Sequence, residues 1–403
     1  MTKVRPKRLG DLLNLKRGYD LPESKRNEGS YPVISSAGIS GYHSEYKVEG
    51  EGVVIGRYGT LGDAHYIEGR YWPHNTSLYV TDFKGNCPRY IYYLLTCIGR
   101  IKTSDKSAVP GVNRNELHEM AVPAIDDVRL QKKIAYVLAT LDAKIELNKR
   151  INKELEGMAR LLYAYWFVQF DFPITASQAA AMGKPHLKGK PYRASGGKMV
   201  FNETLKREIP ECWNHGTADS LFRFNPPVTL KEGTVAGFFD MDAVPTRGFM
   251  TKKVQHKAFS GGTKFANGDV VVARITPCLE NGKTALITQL EDGQDGFGST
   301  EFIVMRGKSR ALNAFGACLA RSDHFRKFAI LNMTGTSGRK RIEASVLKTF
   351  PLAIPSDELL SNFEDICEPI FQKMTENEKY NQQLTELRDW LLPMLMNGQV
   401  TVD

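Results

Sequence analysis

Between Asp127 and Phe167 an apolar stripe recurs at alternating gaps of four and three: Ile134, Leu138, Leu141, Ile145, Asn148, Asn152, Leu155, Ala159 and Leu162. The stripe holds for about four heptads with no proline and one glycine, Gly157. It predicts a single amphipathic helix. Asp126 and Asp127 can cap its first turn. At 1.5 Å per residue, about 40 helical residues run roughly 60 Å. A helix of that length with one apolar side must bury it against a partner.

The chain supplies that partner near its C-terminus: Phe363, Cys367, Ile370, Met374, Asn377, Asn381, Leu384, Arg388 and Leu391 repeat the stripe 229 residues later. Asn148 matches Asn377 and Asn152 matches Asn381. Polar residues on a seam cost stability and fix register. An antiparallel pair would set Asn148 against Asn381 and Asn152 against Asn377. Two separate amphipathic helices, each packed on its own domain, are the alternative reading.

A chain of 403 residues suggests two or three domains with ample core. Its six cysteines are scattered without a CxxC pair, which points to a reducing cytoplasm rather than to disulfides or a structural zinc. The N-terminus lacks a signal-peptide apolar run, and no stretch of about 18 apolar residues occurs, so a soluble protein is expected. The net charge of +9 divides as +4 for residues 1–125, +2 for 126–169, +10 for 170–355 and −7 for 356–403. Basic segments suit a polyanion and the acidic helix suits a protein partner.

The regions before the two helices read as one unit used twice. In residues 1–125, short strands around Val33 and Val53 lead into the loop Gly56-Arg57-Tyr58-Gly59-Thr60-Leu61-Gly62. Trp72-Pro73-His74-Asn75-Thr76 precedes the strand from Ser77, and a helix runs from Arg89 to Ile101. In residues 201–355 the strand Val270–Val272 leads into Arg274-Ile275-Thr276, Gly298-Ser299-Thr300-Glu301 precedes the strand from Phe302, and a helix spans Ala311 to Ile330. The expected fold is mixed α/β: two pseudo-twofold-related globular domains (1–125 and 201–355), each followed by a long helix (126–169 and 356–398). A loosely ordered Gly/Ala/Lys-rich connector (170–200) joins the halves.

Catalytic motifs are broken wherever they begin. Gly282-Lys283-Thr284 ends like a phosphate loop, but Pro277 stands where the first glycine belongs and has no N–H for a phosphate. Asn225-Pro226-Pro227-Val228 resembles the NPP-aromatic motif of adenine methyltransferases, but Val228 cannot stack on a flipped base. The eight histidines show no HExxH spacing, and Glu45-Tyr46-Lys47 lacks the upstream carboxylates of a nuclease site. A single-chain modification or restriction enzyme is the weaker reading, and no metal site is expected.

Recognition chemistry remains. Arg57, Tyr58, Thr60, His74, Asn75 and Thr76 occupy loops between strands in the first unit; Arg274, Thr276, Lys283, Ser299 and Thr300 are their counterparts in the second. Arginine pairs bidentately with guanine, asparagine with adenine, and serine or threonine with either. Lys102, Lys106, Arg114, Arg339, Lys340 and Arg341 suit phosphate contacts. Singly, each of these also reads as a solvated loop charge.

Several stretches together resemble the specificity (S) subunits of type I restriction–modification systems over nearly the whole chain. They are YPVISSAGISGYHSEY, GVVIGRYGTLG and WPHNTSLYV in the first unit, and GDVVVARITPCLENGKTA and GFGSTEFIVMR in the second. The helical stretches LATLDAKIELNKRINKELEGMARLLYAYWFVQFDF and LRDWLLPMLMNGQV, and the connector, complete the set. The loop at 109–115, VPGVNRN, departs from the family's usual VPTLNRN at Gly111 and Val112. The resemblance implies two target-recognition domains, each reading half of a split, asymmetric site in double-stranded DNA. The paired helices would set the spacer and dock two methyltransferase (M) subunits. S-adenosylmethionine, ATP and Mg²⁺ would sit on the methyltransferase and restriction (R) subunits, with no cofactor in this chain.

Overall fold

The structure is a computed structural model that describes residues 4–57, 64–104, 113–252, 254–336 and 338–402, with only the backbone described for 99–104. The chain divides into two compact units, residues 1–145 with 383–403, and residues 146–382. The long helices Val128–Tyr163 and Asp357–Met396 contribute to both.

In the first unit, strand Val4–Arg8 pairs antiparallel with Ala121–Ile125. A four-stranded antiparallel sheet has the order Asn14–Arg17, Ser77–Asp82, Gly52–Gly56, Ala64–Ile67. A second sheet has the order Gly38–His43, Tyr31–Ser35, Arg70–Pro73, Val48–Glu49, its two central strands parallel. Helix Pro88–Ser104 lays Tyr90, Ile91 and Leu94 over the first sheet's Val53, Ile55, Leu78 and Val80, all buried. Strands apolar on both faces read as short continuous runs, which is why Gly52–Gly56 was visible in the sequence.

The second unit repeats the plan. Asn214–Thr217 pairs with Pro351–Ile354. One sheet has the order Phe222–Phe224, Phe302–Gly307, Val270–Ala273, Thr284–Leu286, and the other Gln255–Ala258, Val235–Phe239, Gly296–Gly298, Thr263–Phe265. The central pair of this last sheet is again parallel. Strand orders and directions thus agree one for one between the units. The expected helix Ala311–Ile330 is two, Asn313–Arg321 and Asp323–Leu331: Ser322 has extended backbone and its hydroxyl caps the second by accepting the Phe325 N–H at 3.2 Å.

The helix seam behaves as its spacing requires. Asp127 caps the first helix through the Arg129 N–H at 2.8 Å. Within the second unit the helices run antiparallel, and the asparagines meet in the expected register. Asn148 Nδ2 donates to Asn381 Oδ1 at 3.0 Å, and Asn377 Nδ2 donates to Asn152 Oδ1 at 2.8 Å. The Asn152 side-chain amide Nδ2 donates to the Met374 carbonyl at 3.2 Å. Within the first unit, Ile134 and Leu138 pack with Leu392, Leu395 and Met396, and the seam's Arg388 finds Asp142 at 2.8 Å. The second helix stays continuous across Pro369, which offers no N–H to its preceding turn.

The connector departs from expectation: it is folded. Phe172 stacks on Tyr192 and Trp213 at centroid distances of 4.8 and 5.2 Å, and Ile174 and Ala179 are buried in the same core. Thr175 and Gln178 form a reciprocal capping box for helix Ala176–Ala181. Gly197 lies against the Tyr192 ring, where a Cβ would come within 2.3 Å. Its many small and basic residues suggested a linker, but a few aromatics decide the packing.

Candidate functional site

In the first unit, strand Gly52–Gly56 ends at Arg57, whose backbone N–H donates to the Thr76 carbonyl at 3.1 Å. That bond brings Arg57 beside the His74–Thr76 turn. The turn is fixed from below: the His74 N–H donates to Ile34 O at 2.8 Å, and the buried Ser77 hydroxyl donates to His74 O at 2.8 Å. His74 Nδ1 lies 3.0 Å from Thr76 Oγ1, which also accepts the Ser36 N–H at 3.4 Å. The Asn75 amide donates to the Asp20 carboxylate, and Arg17 Nε donates to Asn75 O at 3.3 Å. Gly18 passes so close that a Cβ would meet His74 O at 2.1 Å. Burial, with the nearby Arg26 charge, lowers the His74 pKa below its ordinary value, so the ring is neutral at physiological pH.

Tyr58, Thr60 and Lys106 lie outside the described residues, as does the side chain of Lys102 on helix Pro88–Ser104. Arg114 is exposed at the start of helix Arg114–Glu119, 3.5 Å from Asn115 Oδ1. That helix is anchored elsewhere, its His118 Nε2 accepting the Leu15 N–H at 3.0 Å.

The second unit builds the same crossing. The Arg274 N–H donates to Glu301 O at 2.9 Å, the counterpart of Arg57 on Thr76. Here a third segment joins: Ile342 N–H donates to Arg274 O at 2.9 Å and Thr276 N–H to Lys340 O at 3.0 Å. The Arg274 guanidinium is paired with Glu343, and Arg341 grips Glu301 with Nε at 3.0 Å and Nη2 at 2.7 Å. Arg341, with Arg274 nearby, holds the Glu301 carboxyl below the usual carboxylate range against the opposing effect of burial. Ser299 Oγ accepts the Glu301 N–H at 3.2 Å, Thr300 is exposed beside it, and Arg339 and Lys340 are exposed.

Lys283 is not brought to this cluster. Its Nζ donates to Met241 O at 2.6 Å and pairs with Asp242 at 3.1 Å, serving another loop. The Asn225-Pro226 stretch is a turn: Asn225, at φ 48°, exchanges two hydrogen bonds with Val304 through its N–H and its Oδ1.

Sequence reasoning missed Glu301 and Glu343 as site residues, and Asp20, Arg17 and Ser36 in the first unit. Glu301 had a signal, since it falls opposite Thr76 when the repeat is laid on itself. It also missed Arg321, half-buried, which donates to the carbonyls of Pro245, Thr246, Gly248 and Gly282 and so ties the 245–248 loop to the turn after Thr276. Among the described residues no group of three or more His, Cys, Asp or Glu side chains converges to hold a metal ion, and no helix is long and apolar enough to cross a membrane.

Residues 1–157 match the family model described as the type I restriction modification DNA specificity domain. The chain is 29% identical over 205 residues to the Type I restriction enzyme EcoEI specificity subunit of Escherichia coli, a match covering 48% of this chain and 34% of that one. The chain therefore spans only about a third of that relative's length. It is 23% identical over 334 residues to the MjaIX specificity subunit of Methanocaldococcus jannaschii, covering 79% of this chain and 70% of that protein. The crystal structure of a type I restriction-modification system S subunit from M. genitalium shares the fold, with a TM-score of 0.62 at 15% identity, covering 100% of this chain and 97% of that one.

Proposed function

We propose, from this kinship with type I specificity subunits, that the chain is the non-catalytic DNA-reading subunit of a type I restriction–modification assembly. One observation carries the reading: the same strand-end crossing is built twice and dressed differently. The first carries Arg57 with His74, Asn75 and Thr76; the second carries Arg274 with Ser299, Thr300 and Glu301. Equal backbones with unequal polar side chains suit two readers of two different half-sites. The excess of +10 over residues 170–355 suits a polyanion, whose phosphates dominate affinity.

In this reading the domains 1–125 and 201–355 each recognise half of a bipartite site. The helices set the spacer, and the acidic C-terminal helix faces protein partners. Two methyltransferase subunits dock on the helices and carry the S-adenosylmethionine chemistry, restriction subunits carry ATP and Mg²⁺, and the assembly works in the cytoplasm. Arg57, His74, Asn75 and Thr76 are the proposed DNA contacts of the first domain, with Tyr58, Thr60, Lys102, Lys106 and Arg114. Arg274, Thr276, Ser299, Thr300, Arg339, Lys340 and Arg341 are those of the second, and Lys283, held by Met241 and Asp242, stands outside the set. Arg57→Ala tests the scheme: discrimination at one base pair of one half-site should fall by about 1–3 kcal/mol. Even weakening across all sequences, measured by competition binding, would make Arg57 a phosphate contact instead.

A further inference from the structure

We infer that Arg341 is a guanine-reading residue of the second domain, and that Glu301 is the positioning residue that aims it; the inference rests on the DNA-reading function proposed above. The first ground is geometric. Glu301 takes the Nε and one Nη2 hydrogen of Arg341, the inner edge of the guanidinium. What Glu301 leaves is the outer edge, Nη1 with the second Nη2 hydrogen, a fork that matches the O6 and N7 acceptors of guanine in the major groove. The backbone beneath is pinned as well, since the N–H of Arg341 donates to Thr334 O at 2.8 Å and its carbonyl accepts the Thr334 N–H at 2.9 Å. A side chain held at both ends loses little freedom on binding, which favours selective contact over loose attraction.

The second ground is charge. Arg341 and Arg274 are each paired with a glutamate, Glu301 and Glu343, so the four side chains sum to zero. A neutral quartet offers a phosphate as much repulsion as attraction, whereas base recognition needs directed donors and no net charge. The third ground is incompleteness. In the same cluster Arg274 Nε and Thr276 Oγ1 are buried without a hydrogen-bond partner, although buried polar atoms ordinarily have one. The first domain has Thr76 where the second has Glu301, so this device belongs to one half-site only.

The test assays wild type, R341A, R341K and E301Q, each assembled with methyltransferase subunits, on duplexes in which every base pair of both half-sites is substituted in turn. R341A should cut the preference for guanine at one position of one half-site by about 5- to 150-fold and leave the other half-site unchanged. R341K, which keeps the charge but not the fork, should lose the same preference while keeping the salt dependence of binding. E301Q should lose part of it at the same position. Even weakening on all sequences by R341A, with the salt slope reduced by about one and restored by lysine, would identify a phosphate contact and overturn the inference. Unchanged discrimination in R341A, or in E301Q alone, would overturn the reading role or the aiming role respectively. A wild-type complex without any discriminated position would instead overturn the DNA-reading function itself.

Discussion

Asn148 and Asn381 are buried to 2% and 5% exposure and bonded to each other, a costly place for two amides. Removing one partner orphans the other, so Asn148→Ala should destabilise the protein by about 1–3 kcal/mol. Replacing both by leucine should recover most of that loss or exceed it, while weakening the preference for one helix register. Urea unfolding of Asn148→Leu, Asn381→Leu and the double leucine variant checks this; additive losses would mean the pair is not coupled. Glu364 is a second buried polar group, accepting the Ala314 N–H at 2.7 Å. Burial raises its pKa above the ordinary carboxylate value, outweighing the Ala314 bond. The folded state therefore holds that proton more tightly than the unfolded chain, and stability contributed by the neutral form is lost as pH rises from the ordinary carboxylate pKa through the raised one. Glu364→Gln should match wild type in thermal stability at low pH and surpass it at neutral pH. An equal difference at both pH values would contradict the burial argument.

The long helices were the most legible elements, because a 3.5-residue period sustained over several heptads has few other uses. Their asparagine contacts follow from the register match once the helices pair antiparallel. The repeat of the globular domains was legible through short apolar runs such as Gly52–Gly56 and Val270–Ala273. The break at Ser322 was hidden because the residues on both sides favour helix. The connector was misjudged because Phe172, Tyr192 and Trp213 stack only in three dimensions, while small and basic residues dominate its composition. Ion pairs of the second domain were likewise illegible: Arg341 and Glu301 are 40 residues apart and meet only through the strand crossing at Arg274. If the helices set the spacer, inserting seven residues at matching seam positions in both keeps the asparagine layer. It should lengthen the recognised spacer by about three base pairs, since seven residues add roughly 10 Å and each base pair spans about 3.4 Å. Four residues inserted near Asn152 in the first helix alone should break the layer and cost stability. An unchanged spacer in an assembled complex carrying the paired seven-residue insertion would remove the ruler.

At the scale of the molecule, the sequence pointed to the proposed function through a duplicated set of polar loops on segments of net positive charge. Which edge a side chain leaves open was not legible, because it depends on contacts such as Glu301 on the Nε edge of Arg341, and the base preference of a DNA reader would follow from that edge. In the proposed function this chain alone decides where an assembled methyltransferase acts. The most direct test is to co-express it with methyltransferase subunits in a host lacking adenine methylation and map methylated adenines across the genome. The expected result is one split, asymmetric motif that vanishes without this chain and changes in one half when residues 214–354 are exchanged for those of a relative. A soluble, assembled complex that leaves no methylated motif, or one whose motif is indifferent to this chain, would contradict it.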